Sequence, residues 1–92
     1  MVYKIQPYSY RRAKELGVEI KPSTRSGKKI DVYKDGEYVV SIGAIGYGDY
    51  PTYLQLGDEA FANARRRLYK IRHAENRSVK GSAGWYADQI LW

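Results

Sequence analysis

Between Asp58 and His73 the apolar residues Ala60, Phe61, Ala64, Leu68 and Ile71 recur at the i, i+3/i+4, i+7 spacing of one helical face. At about 100° per residue, those side chains cover roughly a third of the circumference. The spacing predicts a helix over residues 58–73 that is fixed to a core by this stripe. Arg66, Lys70 and His73 then fall on the opposite side, and Arg65, Arg67 and Arg72 border the stripe. Asp58 follows Gly57 and suits the N-cap, with Glu59 in the first turn at the positive end of the helix dipole.

The remaining pattern is shorter in period. Met1–Ile5 alternates and predicts an edge strand stopped by Pro7. Residues 8–16 predict a short helix ended by Gly17, with Ala13 and Leu16 inward and Tyr8, Arg12 and Glu15 sharing another face. Residues 18–22 alternate as a strand, and residues 22–29 form a polar, basic loop. KIDVYKDGEYVVSI at 29–42 is a hairpin pattern around Asp35-Gly36, pairing Lys34 with Glu37, Tyr33 with Tyr38 and Val32 with Val39. GAIGYGDYP supplies bends, then Pro51–Leu56 predicts one helical turn with Asp49 near its cap. The closing GWYADQILW carries too many large apolar groups to remain free, so it is expected to dock on the chain's own core, with docking on a partner as the alternative.

The predicted fold is α+β in one domain of residues 1–92. A small antiparallel sheet is built on the hairpin, with the basic helix laid over one face, a short N-terminal helix, and the tail packed back through Trp85 and Trp92. Ninety-two residues allow one modest core. Ten Tyr and two Trp against one Phe favour half-buried, interfacial and stacking positions over a dry interior. Without cysteine there is neither a disulfide framework nor a thiolate metal site. The first residues lack the apolar run of a secretory signal, and no stretch reaches membrane-spanning length, so neither secretion nor a membrane partner is expected.

Charge changes the picture most. Residues 1–29 hold eight Lys/Arg against two acids, residues 30–64 one against six, and residues 65–80 seven against one. The two basic segments would form a cationic face that attracts phosphate backbones, unless the acidic middle neutralises them within the fold or in a neighbouring copy. Candidate chemistry is otherwise sparse. His73 is the single histidine, with no nucleophile or metal spacing around it, and the glycines of GAIGYG lack the Lys-Ser/Thr of a phosphate loop. No catalytic residue, metal or cofactor is therefore assigned. What remains is arginine interleaved with tyrosine, in YSYRR at 8–12 and RRRLYKIRH at 65–73, a pairing suited to phosphates and to stacking on bases.

Three segments, AKELGVEIKPST at 13–24, KKIDVYKDGEYVVSIGAIGYGDYPTY at 28–53, and RRRLYKIRH with GSAGWYADQILW toward the end, carry a resemblance. Over most of its length the chain resembles a family of small, mostly uncharacterised proteins encoded by large double-stranded DNA viruses, chiefly of algae and protists. The resemblance implies an infected-cell or virion context and brings no activity or catalytic residues with it.

The leading expectation is a non-enzymatic, sequence-independent nucleic-acid-binding protein. Arg65, Arg66, Arg67, Lys70, Arg72 and His73 would contact the backbone, with Arg11, Arg12, Lys28 and Lys29 extending the patch. The alternative is a virion structural or capsid-associated protein that binds other proteins or itself, with Trp85, Tyr86 and Trp92 at the interface. A small nuclease using His73 with Tyr69 ranks below both, and an inhibitor that occupies a host or rival protein is a further reading.

Overall fold

A computed structural model describes residues 3–92. At Asp35-Gly36 the chain reverses with φ of 52° and 80°, the positive pair that a type I′ turn requires. The flanking strands, β2 (Lys28–Lys34) and β3 (Glu37–Ala44) after β1 (Glu19–Pro22), form an antiparallel sheet in the order β1-β2-β3. Lys34 opposes Glu37 and Tyr33 opposes Tyr38, as the sequence predicts. One step further the register shifts, and Val32 lies opposite Val40 rather than Val39. The shift leaves Val39 half exposed and sets Val40 and Ile42 on the same face as Ile30 and Val32. A core face that must be continuous overrides the simple hairpin count.

The polar stretch before β2 is a tight connection. The Ser23 amide donates to the Lys29 carbonyl at 3.0 Å, and the Lys28 amide to the Arg25 carbonyl at 3.2 Å. Of the expected strand over Met1–Ile5, the first two residues lie outside the described range. Tyr3–Ile5 is not a strand, and Ile5 instead enters the core.

Ile20, Ile30, Val32 and Ile42 make the apolar face of the sheet, and two helices cover it. These are α1 (Pro7–Leu16) and the C-terminal α4 (Ala83–Leu91), which contributes Tyr86, Ile90 and Leu91. Burying an Ile or Leu of this kind stabilises the fold by about 1.5–3 kcal/mol. Ser9 is fully buried between the helices, and its Oγ donates to the Ile90 carbonyl at 2.9 Å. The tail therefore docks on its own core, with Ser82 capping α4 by accepting from the Trp85 amide. A 3-10 turn at Asn76–Ser78 packs against it.

The helix predicted over 58–73 is present as α3 (Glu59–Arg72), preceded by α2 (Tyr50–Gln55). Asp49 caps α2 and Asp58 caps α3, each accepting from the backbone amide three residues on. Its placement corrects the sequence reading. α3 packs against α2, while the sheet face is taken by α1 and α4. The stripe predicted to face the core is turned outward, leaving Phe61 48%, Leu68 47% and Ile71 69% exposed, with Ala60 and Ala64 also exposed. Ala62 is the buried residue of the helix, and Arg65, Arg66, Tyr69 and Lys70 are half-buried on the inner side. Among the described residues no helix is long and apolar enough to cross a membrane.

Candidate nucleic-acid interface

The inward rotation of α3 divides its cations into anchors and free groups. Lys70 Nζ reaches Asp88 Oδ1 of α4 at 2.7 Å. The Arg66 guanidinium lies 3.8 Å from the centroid of the Tyr50 ring, and it also donates to the Trp92 carbonyl. Both side chains hold α3 to its neighbours. Arg12 acts similarly between α1 and α4: Nε donates to the Gln89 carbonyl at 2.9 Å, one terminal nitrogen to Gln89 Oε1, and the other to Glu15.

Lys29 departs furthest from the expected patch. In β2 it points away from Ile30, onto the opposite face of the sheet, and its side chain is only 5% exposed. Nζ donates to Asp49 Oδ2 at 2.8 Å and to the Tyr47 carbonyl at 2.6 Å. The Tyr3 hydroxyl donates to the same Asp49 oxygen at 2.7 Å, and burial followed by the Asp49 hydrogen bond and charge pushes the Tyr3 phenol upward. This network is a structural clamp on the loop between β3 and α2, so Lys29 does not extend a free surface.

The remaining cations gather beside that clamp. A cleft of about 710 Å³ opens between the start of β2, the β3–α2 loop, α3 and the end of α4. Lys28, Arg65, Arg72 and His73 line it together with Tyr47, Tyr53, Tyr69 and Trp92, the clamped Lys29 forms part of its wall, and no carboxylate is among its lining residues. The rings are organised. Tyr69 stacks on Trp92 with centroids 4.3 Å apart and planes 8° off parallel, and on His73 with centroids 4.4 Å apart and planes 29° off parallel. Burial, then the nearby Asp88 charge, raises the Tyr69 phenol. Arg65 leans toward the Tyr53 ring at 5.9 Å. Gly48 lies under the Tyr53 hydroxyl, where a Cβ would have no room. Tyr47, between Gly46 and Gly48, stands 76% exposed at the rim.

A second cleft, of about 450 Å³, collects Arg11, Arg12, Arg66 and Lys70 with Tyr8, Gln89 and Trp92. Glu15 and Asp88 also line it, and they pair with Arg12 and Lys70. Two of its four cations are thus paired with carboxylates, and the 710 Å³ cleft has the more positive lining. The expected patch is therefore two separate sites, and Arg67 lines neither of them, standing exposed on α3.

Trp85, Tyr86 and Trp92, expected at the interface in the alternative reading, pack against the chain's own core. Tyr86 is buried, and Trp85 and Trp92 are half-buried against the core, with Trp92 also forming part of the cleft wall. The sequence reading missed Tyr47 and Tyr53. The available signal was Gly-Tyr-Gly, in which a large ring flanked by two residues without side chains is left standing in solvent. Among the described residues no group of three His, Asp or Glu side chains is placed to hold a metal ion. No known protein family, curated protein or solved structure matches the chain.

Proposed function

We propose that this protein is a non-enzymatic, sequence-independent nucleic-acid-binding protein of a large DNA virus, acting in the infected cell or the virion. The observation that carries the reading is the cleft that the exposed Lys28 and Arg72 and the half-buried Arg65 line beside the rings of Tyr47, Tyr69 and Trp92, with no carboxylate in its lining. Phosphates would sit on the three cations, releasing counterions, while the exposed Tyr47 ring offers a base a stacking surface. Point cations and ring faces present no pattern of donors and acceptors that distinguishes bases, so affinity would depend little on sequence. Because stacking needs an unpaired base, the reading favours a single strand over a duplex.

A direct test is fluorescence anisotropy with a labelled random-sequence single strand. Arg65→Ala/Arg72→Ala should weaken binding about 10-fold or more while leaving the melting temperature nearly unchanged, since charge-assisted contacts of this kind contribute about 1 kcal/mol or more each. Equal affinity in the variant would exclude the cleft. The second reading, a virion protein that binds other proteins, is favoured by one observation: the exposed Leu68 and Ile71 on the outer side of α3.

A further inference from the structure

The outer side of α3 repeats Phe61, Ala64, Leu68 and Ile71 at spacings of three, four and three residues. This is the a/d spacing of a coiled-coil seam, kept over residues 61–71, about 15 Å of the helix. Among the described residues Tyr53 packs edge-on against Phe61 at 5.3 Å, and Phe61, Leu68 and Ile71 stay 48%, 47% and 69% exposed, because the sheet has used α1 and α4 to close its apolar face. Exposed apolar side chains in a continuous stripe mark a surface that is buried against something else.

We propose that this stripe pairs antiparallel with the α3 stripe of a second copy of the chain, making a two-fold symmetric dimer. Two features of the helix select that occupant. The first is the order of sizes along the seam. Antiparallel pairing sets Ala64 of each copy opposite Leu68 of the other, small against large, and Phe61 opposite Ile71. The layers are therefore self-complementary, as an interface repeated by a two-fold axis must be. The second is charge. Asp58 opens the helix and Arg72 closes it, and both border the seam on the same side. Antiparallel pairing brings Asp58 of each copy beside Arg72 of the other, twice by symmetry, and it opposes the two helix dipoles as well. Parallel pairing would instead place Arg72 near its own copy. Arg65 is turned toward Tyr53 and the cleft, and Arg67 near the axis can carry its head to solvent on a long stem.

Arg72 belongs both to the seam border and to the cleft lining, so the dimer is tested without nucleic acid. Sedimentation equilibrium of the full chain at up to roughly 100 µM should give a concentration-dependent dimer that persists when salt is raised, as an apolar seam requires. Leu68→Glu/Ile71→Glu, at positions exposed in the single chain, should weaken association by more than about 100-fold with an unchanged circular-dichroism spectrum. Asp58→Ser, which keeps a capping hydroxyl, and Arg72→Ser should each weaken it about two- to fivefold, and the double variant no further than either alone. The chain has no cysteine, so orientation can be read directly. A mixture of Ala64→Cys and Leu68→Cys proteins should oxidise to the mixed disulfide in preference to either homodimer. A monomer at the highest concentration would overturn the proposal, as would a dimer unaffected by the glutamates or a preference for Ala64→Cys homodimers.

Discussion

Lys70 of α3 and Asp88 of α4 meet at 2.7 Å, with the carboxylate almost wholly buried and the ammonium about a third exposed. This pair, with Arg66 on Tyr50, turns the basic side of α3 inward. Lys70→Met strands a buried carboxylate and should destabilise the fold by about 1–3 kcal/mol, measured by urea denaturation. Lys70→Met/Asp88→Asn should recover part of that loss. Equal stability of the single variant and the parent would show that the pair does not orient the helix.

Lys29 supplies a second expected outcome of the same kind. Its ion pair with Asp49 is nearly sealed from solvent, so Lys29→Met should cost about 3–5 kcal/mol of stability. By the melting-temperature scale of a domain this size, that is a drop of more than 10 °C, roughly. Lys28→Met, one residue away and exposed, should leave the melting temperature within a few degrees and weaken nucleic-acid binding instead. A reversal of these two effects in thermal melts and titrations would contradict the assignment of clamp and cleft.

How much of this could be read from the chain alone depends on how far apart the deciding residues lie. The Asp35-Gly36 hairpin was legible because its turn and flanking pairs are adjacent in sequence. The bulge at Val39 was not, since it is imposed by matching Val40 and Ile42 to Ile30 and Val32 across the core face. α3 itself was legible from its period and from the Asp58 cap. Its rotation was not, because an apolar stripe is normally buried and the competing anchors, Tyr50, Asp88 and Trp92, lie up to 26 residues from their partners. The basic composition pointed to the right residue types but could not tell Lys28, free at the cleft, from Lys29, buried on the next position of the strand.

Asp31 fixes the pH behaviour of the sheet. Its Oδ1 accepts from Ser23 Oγ and Ser41 Oγ, both at 2.6 Å, tying the start of the β1–β2 connection to β3. Burial alone would raise the carboxyl, but those two hydroxyls, the Arg25 charge and the Thr24 amide outweigh it and hold it below the usual carboxylate value. A depressed folded-state pKa stabilises the fold above the unfolded value of about 3.9, and the contribution is lost as pH falls through the folded value. Denaturation midpoints should therefore decline below about pH 4, and Asp31→Asn should remove that part of the decline. An unaltered acid limb in the variant would place the titration elsewhere.

Tyr47 separates stacking from charge. Its ring is three-quarters exposed and its removal leaves no cavity, so Tyr47→Ala should not change stability measurably. It should weaken single-strand binding by about 1–3 kcal/mol, roughly 5- to 150-fold, and duplex binding much less. An equal loss on both ligands would mean that the ring does not meet a base.

The central claim is that the Lys28–Arg65–Arg72 cleft binds the phosphate backbone, and the salt dependence of wild-type binding to a random single strand tests it most directly. With about three phosphates neutralised, the slope of log K against log salt concentration should be near −2, so affinity falls several-fold for each threefold rise in salt. Arg65→Ala/Arg72→Ala should bring the slope close to −1. No binding at low salt, or binding that does not respond to salt, would contradict it.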